Sequence, residues 1–293
     1  MEYNGVVLLN KPMGPTSHDM IYELRRIFST KRVGHTGTLD PMATGVLPVC
    51  IGNATKASDM LLCEKKEYIA GIKFGISTDT GDITGNVVSE NGFMPDSEAL
   101  ISVLEEFKGK QMQVPPMYSA KKVNGKKLYD LAREGKTVER EPVPIEIYDI
   151  ELVGEDRLQN SYSVRVLCSK GTYVRVLCED IGKKLGTPAC MSSLVRTASG
   201  DFRIESTYTV NELKEAAEKG TLSETLIPTA KLFSYPEITL SEKQSERMKN
   251  GVFVSHPGIS DGMVYRVFDS DGVFFAIAEC INGRLKIIKS FRS

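Results

Sequence analysis

The sequence lacks apolar runs long enough to cross a membrane. Its longest runs, at residues 5–9 and 273–278, are far shorter than the roughly 20 residues that a spanning helix needs. No charged-then-apolar leader segment opens the sequence. We therefore expect a cytoplasmic protein without a membrane partner.

Paired cysteines and metal-ligand clusters are also missing. The six cysteines are scattered without any Cys-x-x-Cys spacing, and only three histidines accompany them. This pattern favours reduced core thiols over a zinc site or a disulfide framework. Asp79, Asp82 and Glu90 suggest a calcium loop, but Gly81 and Ile83 stand at its third and fifth positions, where acids or amides belong. We expect no metal here, and we interpret residues 78–82 as a turn near the active site.

The chain has almost no net charge, since 37 basic and 38 acidic residues leave −1 at pH 7. This argues against a protein that coats nucleic acid without selectivity, because phosphate binding needs clustered lysine and arginine. Residues 108–140 differ, with nine basic and three acidic residues and a local charge of +6. We call this stretch the basic segment. It is a candidate phosphate-binding surface, although a merely solvated face gives the same pattern.

Length and periodicity predict an α+β protein of about two domains, since 293 residues can bury a sizeable core. Residues 6–9 form a short apolar run typical of a strand, and Ser17 is a good N-cap for the amphipathic helix that follows. Asp96 is expected to cap a second helix, which Gly109 ends.

A strand and a helix are predicted around residue 170. Residues 161–168 alternate between apolar and mostly polar side chains, whereas apolar residues recur at helical spacing over 174–185. Arg175 then lies in the first turn of that helix. Because the helix dipole does not favour a cation there, we expect an anionic partner nearby.

A domain boundary is predicted near residues 228–236. Beyond it, Ser241 and Gln244 form a capping box, and three apolar stretches joined by Asp-Gly and Asn-Gly turns predict strands. This indicates a β-rich unit of about 60 residues.

The most informative segment is the sequence GHTGTLDPMATG at residues 34–45. Its single carboxylate, Asp40, stands between the apolar Leu39 and Pro41, which fixes its own φ and keeps Asp40 out of helical geometry. Three glycines allow positive φ or the close approach of a large ligand. An isolated Asp-Pro is usually a turn, but the whole segment indicates a positioned reactive group.

This segment resembles the catalytic motif of the pseudouridine synthases that modify uridine 55 in the T arm of tRNA. Residues 11–17 are similar to the N-terminal motif of the family, 66–68 to its tyrosine motif and 171–175 to its arginine motif. Residues 115–125 resemble its RNA-contacting insertion. These matches follow the order of the family from residue 11 to about residue 202.

The resemblance implies a pseudouridine synthase catalytic fold at residues 1–230, with a mixed, mainly antiparallel sheet flanked by helices. An RNA-contacting insertion is implied at about 108–142. Residues 231–293 occupy the place of a small C-terminal PUA-like RNA-binding domain. The implied function is conversion of uridine 55 to pseudouridine through a catalytic aspartate and a flipped-out base, with tRNA as partner. No cofactor, guide RNA or obligate protein partner is implied, and we expect a monomer.

The resemblance also implies the roles of individual residues. Asp40 is the catalytic carboxylate, Arg175 its cationic partner and Tyr68 the ring that stacks on the uracil and removes the C5 proton. Stacking is worth about 1–3 kcal/mol, comparable with the few kcal/mol that unstacking a base costs. The substrate-binding positions are His35, Tyr173, Leu194, Lys11, Lys121, Lys122 and Lys126. Lys11 is also expected to buttress the catalytic loop, and Tyr173 and Leu194 are equally plausible as core residues.

The chemistry needs a single ionised carboxylate. Pseudouridine formation breaks the N1–C1′ bond, rotates the base and rejoins it through C5. The carboxylate attacks C6 of the base or C1′ of the ribose, or acts as base in an elimination to a glycal. Two other functions remain open: a non-catalytic RNA-binding or RNA-folding protein, and a guide-dependent synthase related to the box H/ACA enzymes.

Overall fold

A computed structural model describes residues 3–62, 65–119, 121–123 and 125–292. The side chains of Lys122 and Lys127 are outside this description, as are Cys63, Ala120 and Asn124. The five described cysteines are free and buried, as predicted. None of the described helices is long and apolar enough to span a membrane.

The described part of the chain contains six α-helices and seventeen strands. The helices are α1 Ser17–Ile27, α2 Ser97–Glu106, α3 Leu128–Arg133, α4 Val174–Lys184, α5 Val210–Glu218 and α6 Glu242–Lys249. The strands are β1 Gly5–Lys11, β2 Val33–His35, β3 Thr44–Ile51, β4 Lys65–Phe74, β5 Ile76–Thr78, β6 Val87–Glu90, β7 Gly109–Gln113, β8 Lys122–Val123, β9 Lys126–Lys127, β10 Val143–Asp156, β11 Ser161–Ser169, β12 Ala189–Ser199, β13 Phe202–Arg203, β14 Glu237–Thr239, β15 Val264–Phe268, β16 Phe274–Ile281 and β17 Arg284–Ser290.

One large sheet organises the first 230 residues. Its strand order is β1-β3-β12-β4-β11-β10-β7, with β2 beside β3 and β13 beside β12. Strands β3 and β12 run parallel, and the other described pairs of this sheet are antiparallel. Helix α4 packs against β12, and α2 packs against β10. The predicted α+β fold with a mixed, mainly antiparallel sheet is confirmed.

The first helix begins one residue earlier than predicted, because Thr16 and not Ser17 is its N-cap. Asp19 lies three residues after Thr16 and completes a capping box with it, in which the Thr16 hydroxyl accepts from the Asp19 N–H. The buried hydroxyl of Ser17 is therefore free for another task. It accepts from the N–H of Leu39 at 2.9 Å and donates to the Leu39 carbonyl at 3.0 Å, directly before Asp40.

The other predicted elements are confirmed. Asp96 caps α2, which ends at Glu106, and β11 alternates between buried and half-buried residues as predicted. Helix α4 begins at Val174, so Arg175 does lie in its first turn.

A second sheet, in the order β14-β15-β16-β17, forms a separate C-terminal unit. Helix α6 begins at the predicted Ser241 capping box, and the three predicted strands are β15, β16 and β17. This sheet has its own apolar core and also packs against the large sheet. Because side chains alternate along β1, Val7 and Leu9 enter the main core, whereas Val6 and Leu8 meet Ile277 and Phe291.

Candidate active site

A cleft of about 290 Å³ gathers five of the predicted site residues: Asp40, Tyr68, Tyr173, Arg175 and Leu194. They come from the loop between β2 and β3, from β4, from the start of α4 and from β12. A wider groove of about 680 Å³ lies beside it and shares Lys66, but its described lining includes none of the three predicted catalytic residues. The smaller cleft is therefore the candidate site.

The centre of the cleft is an ion pair between Asp40 and Arg175. Arg175 Nη2 lies 3.0 Å from Asp40 Oδ2. Asp40 is therefore the anionic partner that the position of Arg175 in the first turn of α4 predicted. Its side chain is 7 % exposed, whereas that of Asp40 is 39 % exposed. A buried guanidinium thus holds a carboxylate that still reaches solvent, and such charge-assisted pairing fixes its orientation.

Backbone carbonyls fix the Arg175 guanidinium in place. Nη1 donates to the Thr80 carbonyl at 3.0 Å, and Nη2 donates to the Tyr118 carbonyl at 2.8 Å. Nε lies 3.9 Å from the carboxylate of Asp82, which is buried within the predicted turn. The turn at residues 78–82 therefore does lie at the site, as predicted, and its role is to position Arg175.

The start of α4 is held by a residue without a sequence signal of its own. Gln113, buried at the end of β7, accepts from the Tyr173 N–H at 2.8 Å and donates to the Tyr173 carbonyl at 3.1 Å. This two-point bond sets the helix N-terminus, and with it Arg175, against the sheet.

Lys11 supports the catalytic loop, residues 36–43 between β2 and β3. It is fully buried, and its Nζ donates to the carbonyls of Pro12 at 2.9 Å, Pro41 at 3.2 Å and Ala43 at 2.8 Å. Burial lowers the pKa of Lys11 to about 8, against the opposing effect of the Asp40 charge. Lys11 is not among the described residues that line the cleft, so the geometry favours the buttress over a direct substrate contact.

A second buried cation, Arg196, ties the loop to β12. Its Nε donates to the Val46 carbonyl at 2.7 Å, and its Nη2 donates to the Gly37 carbonyl at 3.1 Å. In the sheet register Arg196 stands opposite Tyr68. Sequence reasoning missed Arg196, and the available signal was a single charged residue within an otherwise uncharged strand.

Close strand approach explains one glycine of the loop. Gly45 has φ +98°, and a Cβ there would lie 2.3 Å from the Arg196 carbonyl oxygen. The prediction of positive φ is thus confirmed for Gly45, but the group that approaches it closely is the backbone of β12 and not a ligand. Gly37 also has positive φ, whereas Gly34 does not.

Tyr68 is a buried wall of the cleft. Burial raises its pKa, so the phenol keeps its proton at neutral pH. The placement suits stacking on a base. Removal of a C5 proton by Tyr68 requires that the phenol first lose its own.

Three further predicted residues, His35, Lys121 and Lys126, are not among the described residues that line the cleft. His35 ends β2, and burial followed by the Arg196 charge lowers the pKa of its imidazole, which is neutral at pH 7. Lys121 and Lys126 lie in the β8–β9 hairpin, half-buried and exposed respectively. Lys122 belongs to the same hairpin, but its side chain lies outside the described residues.

Comparison with protein families finds three matches along the chain. Residues 25–174 match the N-terminal domain of the TruB family pseudouridylate synthases. Residues 175–234 match the tRNA pseudouridylate synthase B C-terminal domain, and residues 236–286 match the C-terminal region of pseudouridine synthase II TruB.

Curated relatives match over nearly the whole length. The chain is 45 % identical to the tRNA pseudouridine synthase B of Caldanaerobacter subterraneus over 279 residues, which cover 94 % of this chain and 95 % of the relative. It is 45 % identical to that of Bacillus subtilis over 284 residues, covering 94 % and 92 %. For Francisella philomiragia the values are 44 % over 294 residues, covering 99 % and 95 %.

Solved structures share the fold. A chain of a Cbf5-Nop10-Gar1 complex superposes with a TM-score of 0.70 at 27 % identity, covering 98 % of this chain and 85 % of the other. A chain of the archaeal box H/ACA sRNP Nop10-Cbf5 complex gives 0.69 at 24 % identity, covering 98 % and 86 %.

Proposed function

The chain belongs to the TruB family of pseudouridylate synthases, and we propose that it converts uridine 55 in the T arm of tRNA to pseudouridine. As a member of this family it is an isomerase. The isomerisation is redox-neutral and needs no cofactor. The observation that carries the proposal is the Asp40 carboxylate, held 3.0 Å from a buried guanidinium at the cleft.

Asp40 is the catalytic carboxylate in this proposal. Its ion pair with Arg175 fixes the orientation of the carboxylate, and an ionised carboxylate is the group that attacks C6 or C1′ or acts as base for a glycal route. Each route requires the base to leave its stack and enter the cleft, where Tyr68 offers a ring to stack on. Leu194 and Tyr173 supply further cleft walls.

The enzyme acts without a guide RNA or an obligate protein partner, as a cytoplasmic monomer. The chain is 44–45 % identical to the curated tRNA pseudouridine synthase B of Caldanaerobacter subterraneus and Francisella philomiragia but 27 % identical to the chain of the Cbf5-Nop10-Gar1 complex, and this difference supports guide independence. Residues 1–230 form the catalytic domain, with the insertion at about 108–142 holding RNA through Lys121, Lys122 and Lys126. Residues 231–293 form a PUA-like RNA-binding domain.

The decisive experiment replaces the carboxylate alone. Asp40→Asn should lower pseudouridine formation at least about 10³-fold, because the amide is neither nucleophile nor base. Binding of tRNA should stay within a few-fold of wild type, since Arg175 keeps its two carbonyl partners. Release of tritium from C5-labelled uridine in tRNA measures turnover, and filter binding measures affinity.

Asp180→Asn is the matched control. The Asp180 side chain is 40 % exposed and lies in α4, so the variant removes the same charge from a carboxylate of equal exposure. It should retain full activity. Appreciable turnover by Asp40→Asn would refute the assignment and favour a non-catalytic RNA-binding protein.

A bare T-arm stem-loop tests guide independence. The purified chain should modify the uridine at the position of uridine 55 with no added protein or RNA. Activity that appears only after a guide RNA or a second protein is added would identify a guide-dependent synthase.

A further inference from the structure

One polar group on the wall of the cleft has no partner. Ser119 lines the cleft beside Asp40 and Arg175 and is only 6 % exposed, yet its Oγ makes no hydrogen bond to any described residue. Buried hydroxyl groups in folded proteins are nearly always paired, because an unpaired one destabilises the fold. Such an atom at a binding cleft indicates that a ligand completes its hydrogen bonding.

The backbone presents Ser119 at a defined place. Its N–H donates to the Met117 carbonyl at 2.9 Å, and its carbonyl accepts from the Tyr129 N–H at 3.1 Å. The preceding carbonyl, of Tyr118, accepts from Arg175 Nη2, the same nitrogen that pairs with Asp40. Ser119 therefore directly follows the residue whose carbonyl binds the guanidinium of the ion pair.

Several other walls of the cleft are apolar, so a hydrogen-bond donor is needed for the oxygen atoms of a bound uridine. Leu194, Met191 and the ring of Tyr68 give the cleft apolar surfaces suited to the faces of a base. A uridine also carries two carbonyl oxygens and a ribose 2′-hydroxyl, which are acceptors that an apolar wall leaves unpaired. A serine hydroxyl can donate to any of them.

We propose that Ser119 is a substrate-binding residue whose hydroxyl donates a hydrogen bond to O2, O4 or the 2′-hydroxyl oxygen of the uridine that enters the cleft. This inference rests on the proposed function. It adds a direct contact from the first part of the insertion to the target nucleotide, next to the Tyr118 carbonyl that holds Arg175.

Ser119→Ala tests the proposal with two opposed readouts. The rate constant kcat/KM on the T-arm stem-loop should fall about 5- to 30-fold, the equivalent of one lost hydrogen bond. The melting temperature of the free protein should stay equal or rise, because the variant removes a hydroxyl that has no partner in the fold.

Ser199→Ala is the matched control. Ser199 is fully buried in β12 and its Oγ is likewise unpaired, but it is not among the described residues that line the cleft. This variant should show the same response in melting temperature and unchanged kcat/KM.

Modified substrates then identify the acceptor. Stem-loops with 2′-deoxyuridine, 2-thiouridine or 4-thiouridine at the target each weaken one acceptor. The penalty of Ser119→Ala should shrink to less than twofold on one of them. An equal penalty on all three would show that Ser119 acts through the position of Tyr118 and overturn the proposal.

Two further outcomes would also overturn it: wild-type kcat/KM for Ser119→Ala, or a lower melting temperature together with lower activity. These failures differ from failure of the proposed function, in which the wild-type protein itself makes no pseudouridine. If wild type is active and Asp40→Asn is not, only the inference about Ser119 is at stake.

Discussion

The catalytic loop and the basic segment are built in opposite ways. Residues 36–43 are enclosed by the buried cations Lys11 and Arg196 and by the buried Ser17 hydroxyl, each bonded to loop carbonyls. In the basic segment Lys126 is exposed and Lys136 pairs with Glu134 at the surface. The fold therefore encloses the loop around Asp40 and leaves Lys126 and Lys136 of the basic segment at the surface.

The two regions meet at Tyr118. This residue belongs to the basic segment, yet its carbonyl binds the guanidinium that holds Asp40. This hydrogen bond, together with the two bonds between Gln113 and Tyr173, links the position of the insertion to the orientation of the ion pair. If the comparison holds, changes in the loop lower turnover and changes in the basic lysines lower affinity.

The largest effect after loss of Asp40 itself is expected from Arg175→Met. This change leaves Asp40 without its cation and two carbonyls without a donor, and should lower kcat about 10²- to 10³-fold. Single-turnover kinetics at saturating tRNA measure it. Arg266→Met is the control, because Arg266 also binds two carbonyls and one carboxylate, but in the C-terminal unit. A rise in KM with unchanged kcat would show that Arg175 contributes to RNA affinity and not to turnover, which contradicts the division of roles between the two regions.

Alkaline pH should weaken the catalytic loop through Lys11. With a pKa near 8, Lys11 is charged below that pH and loses one of its donated protons above it. If the charged form is required, kcat should fall roughly tenfold by pH 9. The Lys11→Met variant should be less active, and its kcat should not show this decline between pH 8 and 9. A wild-type profile that is flat to pH 9 would show that the buttress works without the charge.

Stability should move in the other direction over the same range. The pKa of Lys11 is lower in the folded state than its ordinary 10.5, so between pH 8 and 10.5 the unfolded state binds more protons. The contribution of Lys11 to stability therefore rises with pH. In urea unfolding, the free energy of unfolding of wild type relative to that of Lys11→Met should increase as the pH rises from 8 to 10.

The smallest effect is expected from the lysines Lys121 and Lys126 of the basic segment. Lys121→Ala with Lys126→Ala should leave kcat unchanged and lower the salt dependence of log K by about 0.7–0.9 for each lost phosphate contact. Filter binding from 50 to 300 mM salt measures the slope. Lys214→Ala with Lys219→Ala removes two exposed lysines of α5 and should not change it. An unchanged slope in the first variant would mean that its lysines are only a solvated face.

Local sequence signals predicted most of the elements but missed several supports of the site. Helix α4 and strand β11 follow from periodicity, because their buried faces repeat at 3.6 and 2 residues. The N-cap of α1 was placed one residue late, since Ser17 and Thr16 both suit that position. Only the packed fold shows that Ser17 binds Leu39 instead.

The sequence by itself determined the α+β fold class, the β-rich C-terminal unit and, through its motifs, Asp40, Tyr68 and Arg175 as the residues to examine. Tertiary structure alone decided which further groups hold Asp40 and its loop. Arg196 and Gln113 come from strands that are distant from Asp40 in sequence and carry no motif signal, and Ser119 lies in the segment at 115–125 without a role that the motif assigned to it. Their roles arise where buried polar atoms must find partners across the sheet, and such pairing exists only after the chain has folded.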